Sequence, residues 1–457
     1  MASAESSHWN LWAETLNREA LDALHMRRLK LVLEYAYARS AFYKEYWQRV
    51  GFHPDSIQNL EDFKTRVPLT DKSDFLQFQE DFPPYGKTLA VGEFDVAHHA
   101  ETSGSTGIPL RIPFTDYDTE RYGESWVYGW WALGIRPTDS FYFAFNWGNY
   151  AGFWSAYWGV RRLGAKVYSG GGQTTEDHVR NILRLKPTVL LSTPSFALRI
   201  LEAAQNLGID LSTSSIQYTY HAGEPGPCSL SSVRRKLDAG FGAISGELLG
   251  IAEVDAVAPG CRIRQGVHMS EMSNFSWSMG ADGQEVAEGT IGENVVTTYA
   301  NSAQPLINYR THDLVRAFNL PVCGCGCTWR YLDGVVLGRS DYMITVKGTN
   351  VYPSAVENLI SDVSGVSPHF QLILSRRGAF DDLLIRFEPD LQVPRDKWEG
   401  VGAEVIRRIK EVVGVRLGAE VAEPGSLPRT ELKAKRIVDL RGDEFRRELD
   451  RQQGGQP

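Results

Sequence analysis

The sequence of 457 residues contains no long apolar run and no excess of positive charge. No stretch reaches the roughly 18 to 20 consecutive apolar residues that a membrane-spanning helix needs. Residues 1–24 lack the basic-then-apolar order of a secretory signal. The formal net charge of −8 argues against a general nucleic-acid binder, which would carry a basic face. These absences predict a cytoplasmic protein that binds neither membranes nor nucleic acid.

Cysteine is scarce and unevenly distributed. Three of the five cysteines are bunched in VCGCGCTW, residues 322–329. An odd count with one tight bunch fits poorly with a disulfide framework, and in a reducing compartment such a bunch more often holds a metal ion. Cys261 and His268, earlier in the chain, would complete a set of thiolates and imidazole that suits tetrahedral Zn²⁺. A redox role for the cysteines is the alternative.

The chain also lacks internal repeats and low-complexity blocks, and its length predicts more than one structural unit. Residues 15–50 have apolar side chains at three- and four-residue steps, with Gly51 as a stop, which predicts a helix. Strand-like and helix-like patterns alternate between about 140 and 260, which predicts parallel β-α-β units. Shorter strands follow from about 285, and a smaller unit begins after Gly338.

The predicted fold class is therefore α/β. We expect a large N-terminal domain of several subdomains with parallel sheets, residues 1–337, and a small α+β lid domain, residues 338–457.

Residues 102–107, TSGSTG, place four hydroxyl side chains and two glycines in six consecutive positions. Clusters of this kind are common in surface loops. They also suit a phosphate cradle, because glycines let several backbone N–H groups face one anion and the hydroxyls add donors. The cluster alone leaves both interpretations open.

Two carboxylates stand at strand-end positions where a nucleotide would need them. Glu253 follows an apolar strand and a Gly turn, where a carboxylate can hold Mg²⁺ that bridges phosphates; a solvated loop glutamate is the alternative. Asp313 lies between strand-like runs, where a carboxylate can accept both hydroxyls of a ribose. A plain turn residue is the alternative for Asp313.

The order and spacing of five segments resemble the adenylate-forming superfamily, and most closely the phenylacetate–CoA ligase family. The resemblance runs from about residue 30 to 440. The segments are TSGSTGIPL (102–110), HAGEPG (221–226), YRTHD (309–313), GRSDYMITVKGTNVYPSAVE (338–357) and LPRTELKAKRIVD (427–439).

The resemblance implies an AMP-forming acid–thiol ligase that uses ATP, Mg²⁺ and CoA. It implies phosphate contacts from the loop residues Ser103, Gly104, Ser105, Thr106 and Gly107. Nucleotide contacts are implied for Glu224, Gly250, Asp313 and Arg339, with Asp313 on the ribose. Catalytic roles are implied for Thr106, for Glu253 as the Mg²⁺ ligand and for Lys433 near the α-phosphate, with Lys435 as the alternative lysine. Asp341 is implied as the hinge of the lid domain.

The resemblance also favours a structural zinc site that staples residues 261–327. Its implied ligands are Cys261, His268, Cys323 and Cys325, with Cys327 as an alternative to either of the last two.

Aromatic residues crowd the segment 145–159, FNWGNYAGFWSAYWG, near the expected acyl site. They are either core aromatics or walls of a pocket for a small, flat aromatic acid. The predicted pocket residues are Trp147, Tyr150, His221, Ala222 and Gly223.

Two alternative functions remain at this point. The first keeps adenylation but transfers the acyl group to a carrier-protein thiol or to an amine or hydroxyl acceptor. The second is a non-catalytic, zinc-containing nucleotide sensor. Its support is that Leu249 and Ala252 replace the aromatic and hydroxyl residues of the family's adenine-contacting motif. A homodimer is compatible with each interpretation.

Overall fold

The computed structural model describes residues 6–102, 108–145, 147–319, 322–341, 344–346, 349–351, 353–377, 380–413, 417–428 and 436–440. The helices are α1 (Leu11–Glu14), α2 (Arg18–Arg39), α3 (Ala41–Val50), α4 (Leu60–Arg66), α5 (Lys72–Asp81), α6 (Asp116–Leu133), α7 (Ala151–Leu163), α8 (Thr175–Leu185), α9 (Pro194–Asn206), α10 (Ser231–Phe241), α11 (Pro353–Ser361) and α12 (Trp398–Val413).

The strands belong to four sheets. They are β1 (His98–Glu101), β2 (Arg111–Phe114), β3 (Ser140–Phe143), β4 (Lys166–Ser169), β5 (Val189–Ser192), β6 (Tyr218–Ala222), β7 (Ile244–Ile251), β8 (Asp255–Pro259), β9 (Gly266–His268), β10 (Asn274–Met279), β11 (Ile291–Thr298), β12 (Tyr309–Phe318), β13 (Tyr331–Arg339), β14 (Ile344–Val346), β15 (Thr349–Val351), β16 (Val366–Arg377), β17 (Phe380–Pro389), β18 (Gly418–Val421) and β19 (Ile437–Asp439).

The predicted parallel β-α-β region is confirmed. Its sheet has the order β4-β3-β5-β6-β7-β8, parallel from β4 to β7, with β8 antiparallel to β7. Alternate residues of β3 pack into opposite layers, with Phe141 and Phe143 against α6 and α7 and Tyr142 against α8 and α9. Burial of both faces explains why these strands are nearly continuous apolar runs.

The prediction for residues 15–50 was correct in type but wrong in continuity. The chain forms two helices, α2 and α3, separated at Ser40, whose backbone is extended with φ −94° and ψ 118°. Gly51 ends α3 in the left-handed region at φ 72°, as its position predicted. The break lets both helices pack on the antiparallel sheet β10-β11-β12-β13-β9 through Leu33 and Trp47.

The strands after Arg339 form a separate sheet. Its order is β15-β14-β17-β16-β19, with β18 paired to β17. α11 and α12 pack on it through a core of its own that includes Ile360, Leu372, Ile385 and Ile409. Residue 338 lies inside β13, one residue before its end. The predicted domain boundary at 337/338 stays a prediction. None of the helices in the described part of the chain has the length and apolar character of a membrane span.

Candidate functional site

β1 and β2 hold together the two ends of the TSGSTG segment. Glu101 pairs with Arg111 at the end of the ladder. Beyond it the Thr102 N–H donates to the Leu110 carbonyl at 3.0 Å, and the Leu110 N–H donates to Thr102 Oγ1 at 2.9 Å. Ser103, Gly104, Ser105, Thr106 and Gly107 lie outside the described residues. The described residues on either side of them, Thr102 and Leu110, therefore meet at one closed point.

A positive charge lies at this closed point. Lys72, the first residue of α5, donates from Nζ to Thr102 Oγ1 at 3.1 Å. No local sequence pattern points to Lys72, because Lys72 and Thr102 are thirty positions apart in the chain.

Glu253 lies in the turn between β7 and β8, next to the end of the parallel sheet. Tyr309 donates its phenol hydrogen to Glu253 Oε1 at 2.7 Å, and the Tyr309 ring is 1% exposed. Burial raises the pKa of Tyr309 well above its usual value, and the Glu253 carboxylate adds to this. The phenol is therefore a fixed neutral donor that orients the carboxylate. Gly250 lies exposed near the end of β7, three residues before Glu253.

Asp313 and Arg339 face each other across β12 and β13. Arg339 Nη1 donates to Asp313 Oδ1 at 3.0 Å, while Nε and Nη2 donate to the two Asp341 oxygens at 3.0 and 2.7 Å. Burial opposes the charge on Arg339, but the hydrogen bond to Asp341 and the negative charges of Asp313, Asp341 and Glu253 outweigh it and raise its pKa. Electrostatic interactions with Arg339, a predicted nucleotide contact, thus connect three predicted site residues: the ribose contact Asp313, the hinge Asp341 and the magnesium ligand Glu253.

Behind this group, Glu293 holds two neighbouring segments in place. Its carboxylate accepts two hydrogen bonds from Arg310, both at 2.9 Å, and one from Ser340 Oγ at 2.8 Å. Burial opposes ionisation of Glu293, but hydrogen bonds from His312, Arg310 and Ser340 lower its pKa to about 2. Glu293 was also missed by the sequence analysis.

Tyr150, one of the predicted pocket residues, lies within electrostatic range of Glu253 and Glu224. Burial raises the pKa of Tyr150, and the negative charges of Glu253 and Glu224 add to the effect. Ala222 ends β6, Gly223 follows at φ 88°, and Glu224 accepts hydrogen bonds from Ser195 N at 3.1 Å and Ser195 Oγ at 2.9 Å. Glu224 therefore anchors the start of α9 beside the site.

Two predicted pocket residues differ sharply in their surroundings. The Trp147 indole donates to Ser169 Oγ and packs edge-on against Trp154 at a ring distance of 5.0 Å. His221, by contrast, is 0% exposed, and its ring nitrogens contact Ser192 and Thr219. Burial lowers the pKa of His221 to about 4, so the ring is neutral. These contacts assign His221 to the support of β6 in this structure.

Lys433, the predicted catalytic lysine, and its alternative Lys435 lie outside the described residues, so their implied roles stay predictions.

The cysteine and histidine residues converge on one buried point. Cys261, His268, Cys323 and Cys325 offer ligand atoms that all lie within 4.8 Å of one another. The Cys261 and Cys323 sulfurs are 3.4 Å apart, and His268 Nε2 lies 3.3 Å from Cys325 Sγ. A disulfide needs about 2.05 Å between sulfurs, whereas these separations match the edges of a tetrahedral metal site.

The surroundings of this cluster also fit a metal. His268 Nδ1 lies 3.3 Å from the Trp329 carbonyl, the contact that directs the Nε2 lone pair towards a metal. The Cys327 N–H donates to Cys325 Sγ at 3.4 Å. Within the described residues, Cys327 is not part of the four-residue group.

Comparison with known proteins identifies the family of the chain. The profile of the AMP-binding enzyme C-terminal domain matches residues 348–441. Phenylacetate-coenzyme A ligase of Thermus thermophilus is 32% identical over 454 residues, which cover 94% of this chain and 98% of that protein.

Solved structures of 2-hydroxyisobutyryl-CoA ligase resemble the whole chain. In the postadenylation state with 2-HIB-AMP, that enzyme is 28% identical and superposes with a TM-score of 0.89, covering 100% of this chain and 97% of its own. In the thioesterification state with 2-HIB-AMP and CoA it is 29% identical with the same coverage, and the TM-score is 0.73. The chain therefore belongs to the phenylacetate–CoA ligase family, whose members are AMP-forming acid–thiol ligases of the adenylate-forming superfamily.

Proposed function

We propose that this enzyme activates a small, aromatic carboxylic acid with ATP and transfers the acyl group to CoA. In the first step a carboxylate oxygen bonds to the α-phosphorus of ATP while the bond to pyrophosphate breaks. In the second step the CoA sulfur bonds to the acyl carbon, the bond to the phosphate oxygen breaks, and AMP leaves.

One observation carries this proposal: charged and hydroxyl side chains converge where the parallel sheet ends. Glu253, Asp313 and Arg339 interact there, and Tyr150 connects them to the acyl side. In open α/β sheets, ligands bind at the carboxyl ends of the strands. Preorganised charges at such a place stabilise the charge that develops in a transition state.

We assign the nucleotide to this group of side chains. Asp313 would accept the ribose hydroxyls and Arg339 would reach the nucleotide, with Gly250 and Glu224 as further nucleotide contacts. The proposal also includes phosphate contacts from Ser103 to Gly107, with Thr106 among them, and a charge-stabilising role for Lys433. Asp341 would act as the hinge of the lid domain, with the domain boundary at 337/338.

Glu253 is suited to bind Mg²⁺, because this ion prefers carboxylate oxygens together with substrate phosphates. When bound, the ion neutralises negative charge on the phosphates. The chain's own contribution is the Tyr309 hydrogen bond, which holds one carboxylate oxygen in a single orientation.

The acyl pocket would be walled by aromatic rings. Phe145 and Phe153 stack with a centroid distance of 3.6 Å, and Tyr150 packs edge-on against Phe153 at 5.3 Å. Trp147, Ala222 and Gly223 complete the proposed wall. Rings of this size favour a flat acyl group over a long flexible chain. We do not retain His221 as a substrate contact, because both of its nitrogens face protein partners.

We further assign a structural Zn²⁺ to Cys261, His268, Cys323 and Cys325. When bound, the ion supplies a cross-link between the chain around 261–268 and the chain around 323–325. Cys327, outside this group, is not needed as a ligand. The cytoplasm is the proposed location, while a carrier-protein acceptor and a homodimer stay predictions.

Acid-dependent exchange of pyrophosphate into ATP tests the first step. It is run without CoA on benzoates, phenylacetates, anthranilates and fatty acids, followed by CoA-dependent AMP release from the best acyl-AMP. We expect exchange with one class of small aromatic acids. If folded protein supplied with Mg²⁺ and zinc shows no pyrophosphate exchange with any acid tested, the proposal is contradicted. That result would favour the nucleotide-sensor alternative.

A further inference from the structure

The start of α10 is capped by a residue from the C-terminal sheet unit. Leu230, which precedes α10, has no side-chain acceptor for the free N–H groups of the first turn. Asp362, directly after α11, supplies one: its Oδ1 accepts from Ser232 N at 3.1 Å and from Ser231 Oγ at 3.3 Å. Ser232 Oγ also donates to the Ser361 carbonyl at 2.7 Å.

A second contact lies one helical turn further along α10. Lys236 Nζ pairs with Asp390 at 2.7 Å and donates to the Val366 carbonyl at 3.1 Å. On the other side of Asp362, Arg408 Nη2 lies 3.3 Å from Oδ2. Both Asp362 and Asp390 are thus presented by the C-terminal unit to a single helix of the large unit.

These contacts depend on the placement of the C-terminal unit. A carboxylate caps a helix only when it lies against the N–H groups of the first turn, where the helix dipole also favours negative charge. Rotation of the C-terminal unit would separate Asp362 and Asp390 from α10 together. The chain superposes more closely on the postadenylation form of 2-hydroxyisobutyryl-CoA ligase than on its thioesterification form.

We propose that Asp362 and Asp390, with Ser231, Ser232 and Lys236, form a latch that holds the C-terminal unit in position for adenylation. Asp362 and Lys236 are positioning residues, because they act by holding the C-terminal unit in place and not by touching the substrate. The proposal rests on the proposed function in one respect: the latch must open before the acyl group passes to CoA.

Hydrogen exchange without any substrate tests the latch by itself. The key variant is Asp390→Lys, which places two ammonium groups together but removes neither partner of the Asp362–Ser232 bond. We expect faster amide exchange in residues 231–234, because the whole unit leaves α10. The double variant K236E/D390K restores the opposite charges and should restore the slow exchange. Arg407→Ala, which removes only two exposed ion pairs within α12, is the matched control.

The two half-reactions give the functional readout. Asp362→Ala should lower pyrophosphate exchange by up to about tenfold, because a helix cap contributes enough free energy to shift the docking equilibrium of the unit by roughly that factor. It should leave unchanged, or raise, CoA-dependent AMP release from supplied acyl-AMP. A variant that merely unfolded would lower both rates equally.

Three results would overturn the latch: unchanged exchange at residues 231–234 in D390K, no restoration in K236E/D390K, or equal losses in both half-reactions of D362A. Failure of the proposed function would give a different result, namely no pyrophosphate exchange in the unaltered enzyme. The amide hydrogen exchange of D390K would still test the latch in that case.

Discussion

The phenol of Tyr309 donates a 2.7 Å hydrogen bond to Glu253, which precedes it by 56 residues. Tyr309 begins β12 and is buried, whereas Glu253 is partly exposed in the turn after β7. The antiparallel sheet therefore orients a carboxylate that stands at the edge of the parallel sheet.

Replacement of Tyr309 by phenylalanine removes this donor and keeps the ring. We expect the Mg²⁺ concentration for half-maximal activity to rise about 10- to 100-fold, the usual effect of losing a partner that orients a metal ligand. Titration of pyrophosphate exchange with Mg²⁺ measures it. Tyr35→Phe, which removes a phenol bonded to the Ser302 carbonyl, serves as control. An unchanged Mg²⁺ dependence in Y309F would contradict the role of Glu253.

Asp313→Asn tests the proposed ribose contact. Loss of a charged acceptor costs about 1.5–3 kcal/mol, so KM for ATP should rise roughly 10- to 100-fold while KM for the acid changes little. The matched control is Asp333→Asn. Asp333 pairs with Arg316 across the same two strands, at 3.2 Å, but both side chains are exposed. Similar KM values for ATP in the two variants would refute the assignment.

Lys72→Met removes the positive charge beside Thr102. We expect pyrophosphate exchange to fall by about tenfold or more, because a charged hydrogen-bond donor near phosphates contributes on the order of 1.5–3 kcal/mol. Lys87→Met is the comparison, since Lys87 pairs with Glu45 on the surface. If both variants exchange pyrophosphate at the normal rate, Lys72 has no part in phosphate binding.

Cys323→Ser should abolish stoichiometric zinc and lower the melting temperature, because a structural metal contributes its binding energy to folding. Cys327→Ser and Cys228→Ser should both retain zinc. Elemental analysis of each purified variant, with thermal unfolding, gives the answer. If zinc is retained in C323S but lost in C327S, Cys327 is a zinc ligand in place of Cys323.

Chelation should also loosen the N-terminal segment. Thr328 N donates to the Glu14 carbonyl at 2.9 Å, and the Trp329 indole donates to the Ala13 carbonyl at 2.8 Å. Loss of the cross-link beside residues 328–329 should therefore speed amide exchange in α1. If amide hydrogen exchange in α1 is unchanged after complete zinc removal, the metal does not stabilise the N-terminal segment.

Glu293→Gln gives a pH-dependent prediction. The pKa of Glu293 is lowered from 4.5 to about 2 in the folded chain, so its ionised form stabilises the folded chain, and this contribution is complete above about pH 5. That contribution disappears as the pH falls from about 5 towards 2. The gap in melting temperature between the wild type and E293Q should be large at pH 7, smaller at pH 3 and smallest near pH 2. A constant gap would contradict the depressed pKa.

Local patterns were sufficient for the elements that repeat regularly. The alternation between 140 and 260 predicted the parallel sheet, since strands buried on both faces must be apolar throughout. The grouping of Cys261 and His268 with the cysteines of residues 323–327 also followed from residue types that share one chemistry, whereas the choice of Cys323 and Cys325 among them came from the family resemblance. Continuity of the first helix was predicted wrongly, because its apolar spacing continues through Ser40 and only packing on the antiparallel sheet requires a change of direction there.

The sequence by itself determined the secondary-structure periodicity, the motif order and the types of ligand, all of which are properties of neighbouring residues. Tertiary structure alone decided that Tyr309 orients Glu253, that Lys72 donates to Thr102, that His221 is buried and that Asp362 caps α10. Each of these depends on contacts between residues far apart in the chain. Such contacts arise when separate elements pack together, and a one-dimensional pattern carries no record of that packing.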